Sequence, residues 1–294
     1  MNVIETYGLT KSFGTLVAVN ALDLEVTQGE VFGYLGPNGA GKSTTIRMLL
    51  DFLRPTSGTY EVLGGTGADP AIRARIGYLP GELRFDPRYT ANDLIDLYGH
   101  LRGGVVRERV DALLERFALD PTRRIGQLSS GNKRKVAIVQ AFMHGPELLI
   151  LDEPTQGLDP LLQHEFQALI GEVVKDGATV FLSSHVLPEV ETLAHRIGIL
   201  RHGNLVTTTT IANLERHARQ QIELHVAGKA TVRAFEELPN VIDAWRTGNV
   251  ITVLVAGPVD AVIKEAAKLN VRRIYTREAD LEEAFLDLYK DADA

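Results

Sequence analysis

The sequence predicts an α/β protein on a largely parallel sheet, interrupted by a block of helices and followed by a smaller α+β domain. An apolar run, Val31-Phe32-Gly33-Tyr34-Leu35, leads into a glycine-rich turn and then a helical pattern from Thr44 to Leu50. A second run, Glu147-Leu148-Leu149-Ile150-Leu151, ends in the adjacent carboxylates Asp152 and Glu153. That is the form of a buried parallel strand, whose C-terminal end is where such sheets place ligands. Beyond Asn213 the order becomes strand, helix, strand, strand, helix, strand.

Composition narrows the function. The 294 residues suit one large or two moderate domains, and 45% hydrophobic with 23% charged residues is ordinary for a globular chain. No apolar run approaches the roughly 20 residues that span a bilayer. Met1 to Thr10 carries Asn2, Glu5 and Thr6 where a secretory leader would be basic and then greasy, so the chain is expected to stay in the cytoplasm. The absence of cysteine excludes disulfides, thiolate zinc sites and cysteine nucleophiles. A net charge of −7 disfavours nucleic acid as the main partner.

Taken in order, Val3 to Leu9 and Leu22 to Val26 alternate as half-buried antiparallel strands do, and Gln28-Gly29-Glu30 turns the chain into the central strand. Phe13, upstream of the glycine-rich turn, could stack on an adenine ring or simply pack. Gly36-Pro37-Asn38-Gly39-Ala40-Gly41-Lys42-Ser43-Thr44 matches the phosphate loop G-x-x-x-x-G-K-[ST], with the preceding strand and following helix that the motif requires. Its glycines let backbone N–H groups turn around a polyphosphate, the helix start adds positive potential, Lys42 reaches the β and γ phosphates, and Ser43 offers a hydroxyl to Mg2+.

Pro55-Thr56-Ser57-Gly58 then turns into a strand, Thr59 to Leu63; Pro70 to Arg75 reads as a short helix and Ile76 to Leu79 as a strand, followed by Pro80-Gly81-Glu82. From Thr90 to about Leu119 apolar residues recur at helical spacing, a helical insertion into the α/β domain. A loop from Pro121 ends in Leu128-Ser129-Ser130-Gly131-Asn132, and a helix runs from Lys133 to Phe142. Adjacent strand residues point to opposite sides, so Asp152 could hold Mg2+ while Glu153 orients or deprotonates an attacking water. Gly157-Leu158-Asp159-Pro160 opens a helix through Val174. Ala178 to Leu182 forms the next strand, and Ser183-Ser184-His185 puts His185 on the ligand edge.

These motifs, in this order from Met1 to about Asn213, resemble the ATP-binding subunits of ABC transporters. The resemblance implies a P-loop NTPase domain over residues 1–213, with an antiparallel β-subdomain and a helical subdomain at about 85–143. It further implies a head-to-tail dimer, of identical or related ATPases, with each ATP between one subunit's phosphate loop and the other's signature segment. On the matching positions Phe13 stacks on adenine, Gly36 to Thr44 hold the phosphates, and Lys42, Glu153 and His185 serve hydrolysis as phosphate contact, general base and γ-phosphate sensor. Asp152 and Ser43 associate with Mg2+, while Ser129, Gly131 and Asp159 reach across the dimer.

Two segments depart from the family pattern. The signature usually reads Leu-Ser-Gly-Gly-Gln, and here Ser130 adds a Cβ and a hydroxyl while Ser129 and Gly131 are kept. Gly81 stands where the family has a Mg2+-contacting glutamine, and either Glu82 or water could take its place.

The remainder, 214–294, carries strands at Ile222 to Val226, Val241 to Trp245, Val250 to Val255 and Val271 to Thr276, with helices at Thr231 to Leu238 and Val259 to Leu269. This is the split, ferredoxin-like order. A final amphipathic helix is expected at Leu281 to Tyr289. With no second catalytic cluster, a regulatory or dimer-stabilising module is expected. Such an extension, ending like Ala279-Asp280-Leu281-Glu282-Glu283-Ala284-Phe285, resembles those of exporter-type ATPases partnered with ABC-2 membrane proteins. The implied partner is a separate transmembrane permease docked on Thr90 to Phe142 and Pro80 to Arg84. The implied location is the cytoplasmic face of the membrane, and the implied cargo a drug, antibiotic or lipid-like molecule. A soluble ABC-type ATPase acting on nucleic acid or ribosomes would carry two ATPase halves or long coiled coils, which this chain lacks. A regulatory module that binds nucleotide without turnover is the other rival.

Overall fold

The computed structural model describes residues 1–217, 219–228 and 231–277. The helix expected at Leu281 to Tyr289 lies outside them. The chain divides into two compact units, Met1–Thr208 and Thr209–Ala294.

In the first unit β1 (Asn2–Phe13) and β2 (Leu16–Thr27) form a long antiparallel hairpin, more extended than the alternation alone indicates. Between them and the next sheet strand lies only the turn before β3 (Val31–Leu35), every residue of which is buried. The phosphate loop follows and opens α1 (Lys42–Leu49). β4 (Ser57–Val62) returns to pair with β1, completing a three-stranded sheet in the order β2-β1-β4. α2 (Pro70–Ala74) starts at Asp69, whose side chain accepts from the Ala71 N–H, and leads into β5 (Ile76–Leu79). The helical insertion comprises α3 (Ala91–Leu101), closed by a Thr90/Asp93 capping box, and α4 (Arg107–Arg116). It continues in α5 (Ser130–Phe142), which begins three residues before the expected Lys133 because the Ser129 hydroxyl accepts from the Asn132 N–H.

β6 (Leu148–Asp152), α6 (Pro160–Lys175), β7 (Thr179–Ser184), α7 (Leu187–Leu193), β8 (Arg196–Arg201) and β9 (Asn204–Thr210) complete the second sheet, in the order β5-β6-β7-β3-β8-β9. β5, β6, β7, β3 and β8 run parallel to one another. The threonines Thr207–Thr210 lie inside β9, since β-branched side chains suit a pleated surface, and the division between the two units falls among them, after Thr208. The register places Leu35 beside Ser184 and Asp152 beside Ser183. The C-terminal ends of β3, β6 and β7 therefore meet at one edge, which is where the candidate site forms.

The second unit contains α8 (Ile211–His217), β10 (Arg219–Val226), α9 (Arg233–Glu236), β11 (Val241–Thr247), β12 (Val250–Ala256), α10 (Asp260–Ala266) and β13 (Val271–Arg277). Its sheet is antiparallel, in the order β11-β12-β10-β13. Ile222, Leu224, Ile251 and Val253 pack with Phe235 and Val262 to form its core. Among the described residues no helix is long and apolar enough to cross a membrane.

Candidate nucleotide site

The phosphate loop runs from the buried end of β3 to the start of α1. Gly41 caps the helix at φ 111°, and Gly39 stands at φ 81°, backbone that glycine alone adopts readily. A Cβ on Gly36 would lie 2.5 Å from the Leu200 carbonyl oxygen and one on Gly41 2.4 Å from that of Ala18, so packing as well as dihedral geometry demands glycine there. Pro37 and Asn38 are exposed, Ala40 is buried, and Ser43 and Thr44 are half-buried at the helix start. Below the loop the Tyr34 and Thr45 hydroxyls meet at 3.3 Å, and burial pushes the Tyr34 phenol up.

Lys42 is buried and folds back over the loop, its Nζ donating to Gly36 O at 2.6 Å and Pro37 O at 3.3 Å. The same ammonium lies 3.3 Å from Glu153 Oε1, while Glu153 Oε2 lies 2.8 Å from Nδ1 of the exposed His185. One carboxylate thus joins the phosphate-loop lysine to the histidine beyond β7.

Asp152 and Glu153 are not successive strand residues, in contrast to the expected strand pair. β6 ends at Asp152, and Glu153 stands past it in left-handed backbone, φ 48°, with its N–H on Ser183 O at 3.1 Å. The carboxylates still diverge, but through this turn and not through the pleat. Asp152 is buried and accepts from Ser183 Oγ at 2.6 Å.

Ser43, Asp152, Glu153, Gly81 and Glu82 line one cleft of about 860 Å³. The hydroxyl of Ser43 and the carboxylate of Asp152 are hard oxygen donors, a set that fits Mg2+, whose remaining positions are commonly filled by phosphate and water. At Gly81 a Cβ would come within 3.2 Å of Asp152 Oδ2, so the loop backbone itself approaches this carboxylate. Glu82 is exposed and pairs with Arg84 at 3.1 Å. Tyr78, deeper in the cleft, has its phenol pushed up to about 12 by burial and then by the Asp152 charge.

Phe13, Ser129, Gly131 and Asp159 do not line this cleft. Phe13 sits at the hairpin tip, 49% exposed, with Lys11 Nζ 5.2 Å from its ring centre. Ser129 caps α5, Gly131 is half-buried in its first turn, and Asp159 caps α6 by accepting from the Leu162 N–H at 3.0 Å.

Arg134 was not singled out from sequence. Within the basic run Lys133-Arg134-Lys135 it reads as a solvated residue, yet it is 4% exposed and donates to Pro80, Gly81 and Gln156. Burial pulls its guanidinium down, against the opposing pull of the Asp152 and Glu153 charges. Its alignment with buried Ala137, Ile138 and Ala141 at helical spacing was the available signal.

The family described as ABC transporter matches residues 19–156. The bacitracin transport ATP-binding protein BcrA of Enterococcus faecalis is 34% identical over 295 residues, covering 97% of this chain and 96% of its own length. The Nod factor export ATP-binding protein I of Paraburkholderia xenovorans (strain LB400) is 33% identical with the same coverage. The daunorubicin/doxorubicin resistance ATP-binding protein DrrA of Streptomyces peucetius is 38% identical over 72% of this chain and 66% of its own. A solved ATP-binding subunit of an ABC transporter superposes with a TM-score of 0.68 at 29% identity, over 73% of this chain and 92% of that one. With a phosphate loop, paired carboxylates and a histidine on one sheet edge, and relatives aligned across nearly its whole length, this chain belongs to the ATP-binding subunits of the ABC transporter family.

Proposed function

We propose that the chain hydrolyses ATP with Mg2+ between two copies of itself, or between itself and a related ATPase, and that this cycle drives export through a separate membrane permease. The observation that carries the reading is the placement of Glu153 between Lys42 and His185, at 3.3 and 2.8 Å. A carboxylate there can orient a water, accept its proton as the oxygen attacks the γ-phosphorus, and leave ADP as the displaced group. Lys42 offsets charge on the phosphates, and His185 holds the carboxylate from its other oxygen. Ser43 and Asp152 are the residues that would hold Mg2+, which when bound shields phosphate oxygens. Phe13, exposed upstream of the loop, is assigned to the adenine.

The second copy enters because Ser129 and Ser130 are exposed at the start of α5 while lying outside this chain's own cleft. A helix start bearing a hydroxyl and a glycine suits the γ-phosphate of ATP held by a partner, and Asp159 at the start of α6 would stand beside it. ATP favours the closed pair because it touches more groups there than in the open one. The cleft is also lined by Arg47, Arg73, Arg84, Arg102 and Tyr98, a basic and aromatic set assigned to the permease. That assignment would set the chain on the cytoplasmic face of the membrane. Residues 1–213 are assigned as the ATPase domain and 214–294 as a regulatory or dimer-stabilising one. The named activities of the bacitracin, daunorubicin and Nod factor relatives favour export of a drug-like or lipid-like molecule.

Phosphate release from the purified chain, with Glu153→Gln as background, tests the reading. Turnover well above that background is expected; nucleotide binding without turnover would leave the regulatory module instead.

A further inference from the structure

Gly81 offers no side chain to the site, and the Glu82 carboxylate is paired with Arg84. The loop after β5 is linked to the turn containing Glu153 through another residue. The Arg134 guanidinium donates from Nη1 to Pro80 O at 2.8 Å and from Nη2 to Gly81 O at 3.1 Å. From the same plane Nε donates to Gln156 O at 3.2 Å, and Nη2 lies 3.5 Å from Gln156 Oε1. Gln156 closes the turn that starts at Glu153, its N–H on Glu153 O at 3.3 Å. One buried fork therefore holds the loop after β5 and the turn containing Glu153 in fixed relation.

We propose that Arg134 is a positioning residue for hydrolysis, which transmits displacement of the loop after β5 to Glu153; this rests on the ATPase reading above. Planarity matters here, because a guanidinium presents donors at set angles to several acceptors, whereas an ammonium is a point charge on a flexible stem. Pro80 and Gly81 follow β5, and Gln156 lies in the turn after β6. The sheet pairs those strands as far as Leu79 and Leu151, and beyond that point Arg134 bridges the two segments, so that without it they are free to separate by small rotations. Glu153 stands in left-handed backbone with its side chain between Lys42 and His185, and a shift in its turn alters the angle at which it meets a water. The nucleotide-binding groups on the loop and α1 are untouched. Because α5 also begins at Ser129, the segment assigned to the partner's ATP lies on the helix that carries the fork. Closure of the pair, movement of the loop after β5 and alignment of the base thereby share one helix.

The test uses the full chain with Arg134→Lys and Arg134→Met. A positional error of this kind costs roughly 10- to 100-fold in kcat. That loss is expected in the Met variant and most of it in the Lys variant, with KM for ATP within about threefold of wild type because Lys42 and Ser43 keep their places. Amide hydrogen exchange should quicken together at 80–84 and 153–158 while staying unchanged at 42–49. If the Met variant does not fold, Gln156→Ala combined with Arg134→Lys replaces it, and the double variant should be no slower than Arg134→Lys alone. A kcat within twofold of wild type in folded Arg134→Met, or uniform quickening of exchange across the unit, overturns the inference. Wild-type turnover no higher than that of Glu153→Gln would overturn the ATPase reading instead, and the paired exchange response then decides whether Arg134 couples the two loops.

Discussion

Glu153→Gln is the most informative perturbation, because Glu153, as the proposed base and as the ion-pair partner of Lys42, would carry two tasks with opposite consequences. Its Oε1 is 3.3 Å from Lys42 Nζ, with side chains only 16% and 6% exposed. At an effective dielectric of about 20 that separation corresponds to a Coulomb term of roughly 5 kcal/mol, most of which desolvation of the two ions offsets. A net remainder of about 1 kcal/mol is what an incoming phosphate must displace, so removing the charge should tighten ATP binding roughly fivefold. The ammonium stays in the loop through Gly36 O at 2.6 Å, so its position survives the substitution. Hydrolysis moves the other way: loss of a positioned base slows it by about 10²- to 10⁴-fold. Equilibrium binding of a fluorescent ATP analogue and single-turnover phosphate release read the two effects separately. Near-normal turnover would remove Glu153 as the base. Weaker binding would refute the competition between Glu153 and phosphate for Lys42.

Other expectations are simpler. Lys42→Ala should abolish ATP binding or turnover, since the buried ammonium is the nearest fixed charge for the phosphates; unchanged affinity by calorimetry would contradict this. Gly36→Ala places a Cβ 2.5 Å from Leu200 O and should cost about 1–3 kcal/mol of stability along with nucleotide affinity, measurable by thermal melting with and without ATP. His144 is held at about 4 by burial and then by the Arg102 charge, against a usual value near 6.5. Between these values the unfolded chain binds the extra proton, so stability falls as pH drops from about 6.5 towards 4, by up to about 3 kcal/mol. Denaturant unfolding should therefore show a shallower loss over that window in His144→Asn than in wild type, and equal slopes would remove His144 as the cause.

How much of this was visible beforehand follows from the range of each interaction. The phosphate loop was legible because its strand, glycines and helix are contiguous, and residues 36–44 fix one another locally. Asp152, Glu153 and His185 were legible as residues at strand ends, but the angle between the carboxylates was not. It depends on a left-handed turn at Glu153 that is tied to Ser183 on the neighbouring strand. β8, β9 and α7 were not read because no phosphate or metal motif marks the stretch after His185, and β8 and β9 take their places only in the completed sheet. Arg134 was hidden for the same reason: the acceptors that make its burial tolerable, at 80, 81 and 156, are distant in sequence and converge only after folding. In the second unit Thr247-Gly248-Asn249 lies between two apolar runs, and the hairpin of β11 and β12 there follows from local turn chemistry.

The residues assigned to the partner subunit obey a different logic. Ser129 and Asp159 already satisfy helix N–H groups within this chain, at Asn132 and Leu162. A cap uses one side-chain oxygen for its own first turn and leaves other N–H groups of that turn facing outward. α5 and α6 therefore present their positive ends at the surface, with Ser130 exposed beside the first of them. In the proposed pair an ATP phosphate held by a second copy would meet these donors only on closure, and contacts made in the closed state alone are what would let ATP favour it. In the proposed pair the departure at Ser130 would act on this step and not on chemistry: its Cβ and hydroxyl stand at the helix start, where they would alter how closely the two copies approach, while Lys42, Asp152 and Glu153 are held by contacts within one chain.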